Sequence, residues 1–298
     1  MRTLLSGVTG QIGAALQERL QGCDIVAADR GILDLSRPAS IEQTLSSIKP
    51  DLIVNAAAYT AVDKAEDEVE LAYAINAEAP SIMSAWAAKN DVLLIHFSTD
   101  YVFNGEGTKA WNEEDVPVPL SAYGSSKLAG EEGIRAAQSA HLIVRTSWIY
   151  NTTGRNFLRT IFQLARERHE LRVVSDQIGA PTSACVVANA VAKIISEGGR
   201  QLRRKFEMAD GLVHLAARGE ASWHVFALRI VAGLQRRGVP LIVQKIEAIS
   251  SREYPTRAVR PLNSRLDLAR LRNVFGIVPP PWEEALELEL DKFVKELP

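Results

Sequence analysis

Cysteine is scarce: 298 residues hold two, Cys23 and Cys185, far apart and in apolar-leaning segments. That excludes a disulfide framework and predicts two reduced core thiols. Long apolar runs are missing too. No stretch approaches the roughly 20 residues of a membrane span, and the chain enters Arg2-Thr3-Leu4-Leu5 without a charged leader, so the expectation is a cytoplasmic protein with no membrane partner. Neither sign of charge prevails. The 34 Lys and Arg are interspersed with 36 Asp and Glu for a net charge of −2, which offers no polyanion surface and argues against nucleic acid as a partner. Internal repeats are absent, and no ligand cluster demands a catalytic metal; His214, Trp223 and His224 read as packing or surface residues.

What is present is a rhythm. Short apolar runs at 3–6, 24–28, 51–56, 92–97 and 142–146 read as buried strands, with helical patterns between them. Pro38 opens one helix with Ser36 as its expected cap, and 68–89 and 121–138 supply longer ones. This alternation predicts the α/β class, a doubly wound parallel sheet covered on both faces. Past residue 148 the rhythm loosens around Gly179, Pro181, Pro255, Pro261 and Pro279-Pro280-Pro281, which predicts a first domain over 1–148 and a second lobe over 149–298. Segments 183–197 and 213–235 are candidates to return to the first sheet.

Directly after the first strand stands Gly7-Val8-Thr9-Gly10-Gln11-Ile12-Gly13, with an amphipathic helix expected over 14–20. Gly7, Gly10 and Gly13 allow a tight turn, close backbone approach to a pyrophosphate and close helix packing, the free N–H groups of the helix start attract negative charge, and Gln11 and Ile12 of the same turn are further cofactor candidates. The pattern points to a dinucleotide, with a purely structural turn as the alternative. Asp29, ending the second strand, suits ribose hydroxyls, whereas Arg30 suits a 2′-phosphate, so NADH and NADPH both stay open. Asp34 and Leu35 are candidates for the adenine region, or a surface turn. Ala58, Tyr59 and Thr60 follow the small residues that end the third strand and leave room for a flat ligand.

Ser98-Thr99-Asp100-Tyr101 follows the fourth strand at the carboxyl edge, where open α/β sheets bind ligands. In the next helical pattern Tyr123 and Lys127 stand four residues apart, on one face. An ammonium beside a phenol lowers the phenol's pKa from about 10 toward that of a working general acid. The expected roles are therefore Tyr123 as proton donor, Lys127 as its electrostatic support and Thr99 as a hydrogen-bonding partner of both substrate and tyrosine.

These three motifs, Thr9 to Gly13, Ser98 to Phe103 and Tyr123 to Glu131, resemble the extended short-chain dehydrogenases/reductases, specifically the branch that reduces nucleotide-linked keto sugars. Further segments around Asn55 to Glu66, Arg145 to Tyr150, Asp176 to Thr182 and Arg260 to Leu266 carry the likeness across nearly the whole chain. The resemblance implies a Rossmann-type fold with a smaller C-terminal substrate-binding lobe. It implies reduction of the 4-keto group of dTDP-4-dehydro-L-rhamnose to dTDP-L-rhamnose by NADPH or NADH. It also places Lys127 on the nicotinamide ribose, Thr99, Asp100 and Tyr123 on the sugar, and Trp148 as a flat apolar wall. Asp100 capping a turn and Trp148 in the core are the alternatives. Arg260 and Arg265 suit the diphosphate as fork donors, or else structural ion pairs; Gln177, Pro181 and Thr182 are expected in the cleft.

Some members of that group are dimers bridged by magnesium through acidic residues, one of them in the first helix. Here the helix reads Ala14-Ala15-Leu16-Gln17, so the resemblance points to a monomer or weak homodimer. Two other functions compete. A non-catalytic cofactor-binding regulatory subunit would share the fold; the set Thr99, Tyr123 and Lys127 favours catalysis. A nucleotide-sugar dehydratase would carry Asp-Glu after the threonine, where this chain has Asp100-Tyr101.

Overall fold

The computed structural model describes residues 1–297, with Arg200 described by its backbone alone. Five strands come first: β1 (Thr3–Ser6), β2 (Ile25–Ala28), β3 (Leu52–Asn55), β4 (Leu93–Thr99) and β5 (His141–Thr146). The chain past β5 adds three short pairings, β6 (Ile149–Tyr150) with β9 (Thr182–Ser183), β7 (Glu170–Val174) with β12 (Lys245–Ile249), and β8 (Ile178–Gly179) with β11 (Ala221–Ser222). Strand β10 (Leu212–His214) returns to the first sheet beside β5, giving the order β10-β5-β4-β3-β1-β2, parallel throughout.

Each central strand is apolar on both sides because both faces are covered. Leu4, Ile53, Leu94 and Ile143 enter one core with Ile41, Met83 and Trp86. Their neighbours Leu5, Val54, Ile95 and Val144 enter another with Leu16, Val187 and Val191. A period of two thus splits each strand between two cores. The helices doing the covering are α1 (Gln11–Arg19), α2 (Pro38–Ile48), α3 (Val69–Tyr73), α4 (Ala79–Asn90) and α5 (Ala122–Ala136). Helix α6 (Phe157–Glu167) packs into a separate core, while α7 (Ala184–Gly198) lies against α1 on the sheet. The remainder are α8 (Leu202–Met208), α9 (Trp223–Arg236), α10 (Ala269–Phe275) and α11 (Trp282–Lys295). Of the segment 213–235, the strand joins the sheet, but Phe226, Ile230 and Leu234 of α9 pack with Leu158, Trp282 and Phe293 in that separate core.

Local details depart from the sequence reading. The first helix starts at Gln11, three residues before the apolar pattern. Ser36 does not cap α2; Arg37 holds that position, and the Ser36 hydroxyl donates to Asp34 at 2.7 Å. The pattern 68–89 is broken by one π turn, Ala74–Glu78, between α3 and α4. Cys23 is exposed in the turn beyond α1 and Cys185 half-buried in the first turn of α7, so neither is a core thiol; beside Cys23 the apolar run ends in Gly22, whose φ is +90°. Among the described residues no helix is long and apolar enough to cross a membrane.

Candidate active site

The strand order reverses between β1 and β3, and the crevice outside their carboxyl ends is where such sheets take ligands. Gly7 stands there with φ +71°, and a Cβ on it would lie 2.5 Å from Ala57 N, past the end of β3. A Cβ on Gly13 would meet Gly7 O at 2.1 Å, so α1 is seated against the turn as only glycine permits. Gly10 N donates to Gly7 O at 2.9 Å and Gly10 occupies the cap position of α1 without a side-chain cap, leaving the first-turn N–H groups unclaimed by a side chain. Gln11 Oε1 is buried without a partner. A glycine cradle and a bare helix start fit the anionic pyrophosphate of a dinucleotide, and the orphaned amide oxygen can accept from a donor such as a ribose hydroxyl. Ile12 instead turns its side chain to the core.

Asp29 Oδ1 accepts from Gly31 N and Ile32 N at 2.9 and 3.2 Å, which shapes the turn after β2. Arg30 is largely exposed and lies 3.9 Å from the Asp34 carboxylate. The Ser36 hydroxyl holds Asp34 below the usual carboxylate range. Leu35 is buried in one core with Ile41 and Leu45. Tyr59 is clamped by Asn76 of the π turn, whose Oδ1 accepts from Tyr59 N at 2.8 Å while Nδ2 donates to Tyr59 O and Ser126 Oγ, both at 3.0 Å. That clamp ties the 58–60 loop to α5. The Tyr59 phenol donates to Glu68 at 2.6 Å and is pushed up to about 12 by that bond.

The chemistry-bearing residues gather at the carboxyl edge of β4. Thr99, Asp100 and Lys127 are buried, and Tyr123 is half-buried with its ring edge-on to Tyr101 at 5.5 Å. Crowding pushes the Tyr123 phenol up to about 12, opposed by the Thr99 hydroxyl and assisted by Asp100. The expected lowering by Lys127 is not realised. Its Nζ is committed elsewhere, donating to Phe97 O at 2.7 Å and meeting His96 Nε2 at 3.1 Å, and burial pulls it down to about 8. Tyr123 is therefore a protonated donor over the whole neutral range. Burial lifts Asp100 to about 6, against bonds from Ser264 and Thr99, and Asp100 Oδ2 has no partner. Thr146 Oγ1 and Ser147 Oγ, at and just past the end of neighbouring β5, are also buried and unpartnered, so the edge presents unused polar atoms.

Past the end of β5, Trp148 is held at φ +50°, unusual for a bulky residue, with its ring stacked on Trp223 at 3.6 Å and 7°. Gly179 makes room: a Cβ there would lie 2.7 Å from the Trp148 ring. Trp223, read from sequence as packing or surface, is the second sheet of an aromatic wall and is tethered to buried Gln177 at 3.1 Å. Arg260 forks onto Asp63 at 2.7 and 3.2 Å, and Arg265 pairs with Glu220 and Asn263, so both guanidiniums stand in ion pairs and not free. Each pair is exposed on its acidic side.

Sequence reasoning missed Asn76, Glu131, His96 and Ser264 as parts of this arrangement. Glu131 is fully buried and accepts from Ser98 Oγ at 2.6 Å and from Arg145 Nε and Nη2 at 2.9 and 2.6 Å, fixing α5 to β4 and β5. The available signal was polarity inside apolar runs: His96 in Leu93 to Phe97 and Arg145 in Leu142 to Thr146. A groove of about 600 Å³ beside Arg155, Arg159 and Arg166 shares no residue with this site and holds no acid–base pair.

The family model described as "RmlD substrate binding domain" matches residues 1–295. The chain belongs to this family. The RmlD-type chain is 41% identical over 297 residues to the dTDP-4-dehydrorhamnose reductase of Escherichia coli K12, covering 98% of each. Among solved structures it is similar to the dTDP-4-dehydrorhamnose reductase of Clostridium acetobutylicum, at TM-score 0.89 and 34% identity over 99% of this chain and all of that one. It is similar as well to that of Bacillus anthracis in complex with NADP, at TM-score 0.87 and 34% identity over 98% and 99% of the chains. The match is full-length on both sides, as the resemblance read from the motifs requires.

Proposed function

We propose that this protein reduces the 4-keto group of dTDP-4-dehydro-L-rhamnose to give dTDP-L-rhamnose, with NADPH or NADH as reductant. The observation that carries the reading is a phenol kept protonated beside the Thr99 hydroxyl at the sheet's carboxyl edge, on a chain that matches dTDP-4-dehydrorhamnose reductases end to end. Gly7, Gly10, Gln11, Ile12 and Gly13 would hold the dinucleotide through backbone N–H groups, Asp29 and Arg30 its adenosine end, and Ala58 to Thr60 the flat part of the ligand. The reduced nicotinamide, when bound, supplies hydride to the carbonyl carbon. Tyr123 gives its proton to the carbonyl oxygen as charge develops there, and Thr99 steadies both groups by hydrogen bonding. Lys127 anchors the nicotinamide ribose. Asp100 orients the sugar through its unused Oδ2, and the Trp148–Trp223 wall covers the deoxysugar's apolar face. Arg260 and Arg265 reach the diphosphate by exchanging their exposed carboxylate partners for phosphate oxygens.

Residues 1–148 with Ala184–Gly198 and Leu212–His214 form the cofactor unit in this reading, and the rest of 149–298 the sugar lobe. The stretch Ala14-Ala15-Leu16-Gln17 of α1, which holds no acidic side chain, supports a monomer or weak homodimer. The test follows reduced-nicotinamide absorbance with dTDP-4-dehydro-L-rhamnose, comparing wild type with Tyr123→Phe. We expect turnover in wild type and a loss of about 10²–10⁴-fold in the variant with cofactor affinity unchanged. Cofactor binding without reduction of this sugar refutes the substrate assignment.

A further inference from the structure

Tyr123 stands in the first turn of α5, so its position depends on how the helix start is held. Ser121 Oγ accepts from Gly124 N at 3.2 Å, and the backbone of Gly124 is pressed on the turn after β4, since a Cβ there would run into Tyr101 O. Ala122 N, the amide one residue before Tyr123, has no partner inside the helix. It donates to Glu66 Oε1 at 2.8 Å, 56 residues back in the chain. The first turn of α5 has no acidic residue of its own, so Glu66 supplies the negative charge that the positive end of a helix takes up.

Glu66 closes the short turn Lys64–Glu66, which is seated by the fully buried Ala65. Both flanks of that turn are tied to a strap, residues 257–260. Asp63 Oδ1 accepts from Ala258 N at 3.1 Å, Arg260 forks onto the same carboxylate at 2.7 and 3.2 Å, and Arg257 pairs with Asp67. The strap continues into residues that line the catalytic edge: Asn263 N donates to Gly105 O at 3.0 Å and Ser264 N to Ile178 O at 2.8 Å. An unbroken line of contacts therefore runs from Arg260 through Asp63 and Glu66 to the amide beside Tyr123.

We propose that Glu66 is a positioning residue for the reduction: it sets the place of Tyr123 by holding the first amide of α5, and the strap at Asp63 and Asp67 holds Glu66. The turn 64–66 thereby joins the diphosphate end of the cleft to the proton donor. A clamp made of one carboxylate and one amide governs where the phenol stands without touching the substrate. A displacement of 1 Å at a reacting group can cost about 100-fold in rate, so a clamp on the residue next to the donor matters to turnover. The inference rests on Tyr123 as proton donor and Arg260 at the diphosphate, but its first test needs no turnover.

That test is amide hydrogen exchange in the full-length protein. Ala122 should exchange about tenfold faster or more in Glu66→Ala, the loss expected for a charge-assisted hydrogen bond, while Ile134, far along the same helix, keeps its rate. Glu66→Gln, whose amide oxygen still accepts from Ala122 N, should retain most of the protection. Unchanged exchange at Ala122 in Glu66→Ala, or equal acceleration at Ile134, overturns the clamp. In turnover at saturating substrates, Glu66→Ala should lower kcat about tenfold with the cofactor KM unchanged, and Glu66→Gln should recover most of it. The solvent deuterium effect on kcat should rise in Glu66→Ala, because a displaced donor slows the proton step. A Glu66→Ala enzyme with wild-type kcat, or a Glu66→Gln enzyme as slow as it, refutes the positioning role. The kcat losses of Asp63→Ala and Glu66→Ala should combine to less than their product; multiplied losses refute the link to the strap. A wild type that leaves the keto sugar unreduced refutes the substrate assignment, and the exchange arm then decides the clamp by itself.

Discussion

Replacing Glu131 by glutamine tests how the site is held to the sheet. The carboxylate and Arg145 are 0% and 1% exposed, and the pair is joined through Nε at 2.9 Å and Nη2 at 2.6 Å, with Ser98 adding a third bond at 2.6 Å. Arg145 Nη1 already lacks a partner, and the other favourable contact of this guanidinium is the Phe103 ring at 5.0 Å. Removing one partner of such a pair leaves a desolvated charge and costs about 3–5 kcal/mol. Glutamine retains one acceptor oxygen, so the lower end, about 3 kcal/mol, is the expectation. At roughly 2 °C per kcal/mol for a chain of this size, the melting temperature should fall by about 6 °C or more. Urea denaturation and calorimetry measure it. The companion variant Glu131→Leu with Arg145→Met removes both charges and should lose far less than the single change, because well-packed apolar groups replace a buried pair at little cost. A Glu131→Gln protein within about 1 kcal/mol of wild type, or a double variant as unstable as the single one, refutes the reasoning.

Gly7→Ala should abolish cofactor binding or folding, since the added Cβ meets the Ala57 backbone at 2.5 Å in a left-handed conformation that itself costs about 1–3 kcal/mol; dinucleotide titration and thermal melting check it. Asp100 gives a pH signature. Its folded pKa of about 6 lies above the ordinary 3.8, so its contribution to stability is full below about 3.8 and is lost as pH rises through about 6. Asp100→Asn, neutral throughout, should therefore gain on wild type between about pH 4 and about pH 7, read as urea midpoints at both; an equal gap at the two pH values refutes the shift. Trp148→Ala should raise KM for the sugar nucleotide about tenfold by removing an apolar wall, with cofactor affinity unchanged, and parallel losses in both would place the ring in structure only.

The sheet was legible because each central strand is apolar at consecutive positions, as Leu4 and Leu5 show by entering opposite cores. The glycine turn was legible because its constraint is local: Gly7, Gly10 and Gly13 act on one another within seven residues. What could not be read depends on partners distant in sequence. Leu35 looks like a loop residue until Ile41 and Leu45 are seen to bury it. Arg260 looks free until Asp63, 197 residues away, is placed opposite it. The lysine is the sharpest case. Four-residue spacing puts Tyr123 and Lys127 on one face of α5 and invites an ammonium beside a phenol, but helical spacing fixes only the backbone positions. Where the Nζ goes is decided by Phe97 O and by His96, which itself bonds Asn55 of β3. Each group in that chain is an ordinary strand or loop residue by itself. Their contacts exist only once the sheet lays β3 beside β4, so the direction in which the lysine points is a consequence of strand order and not of any motif.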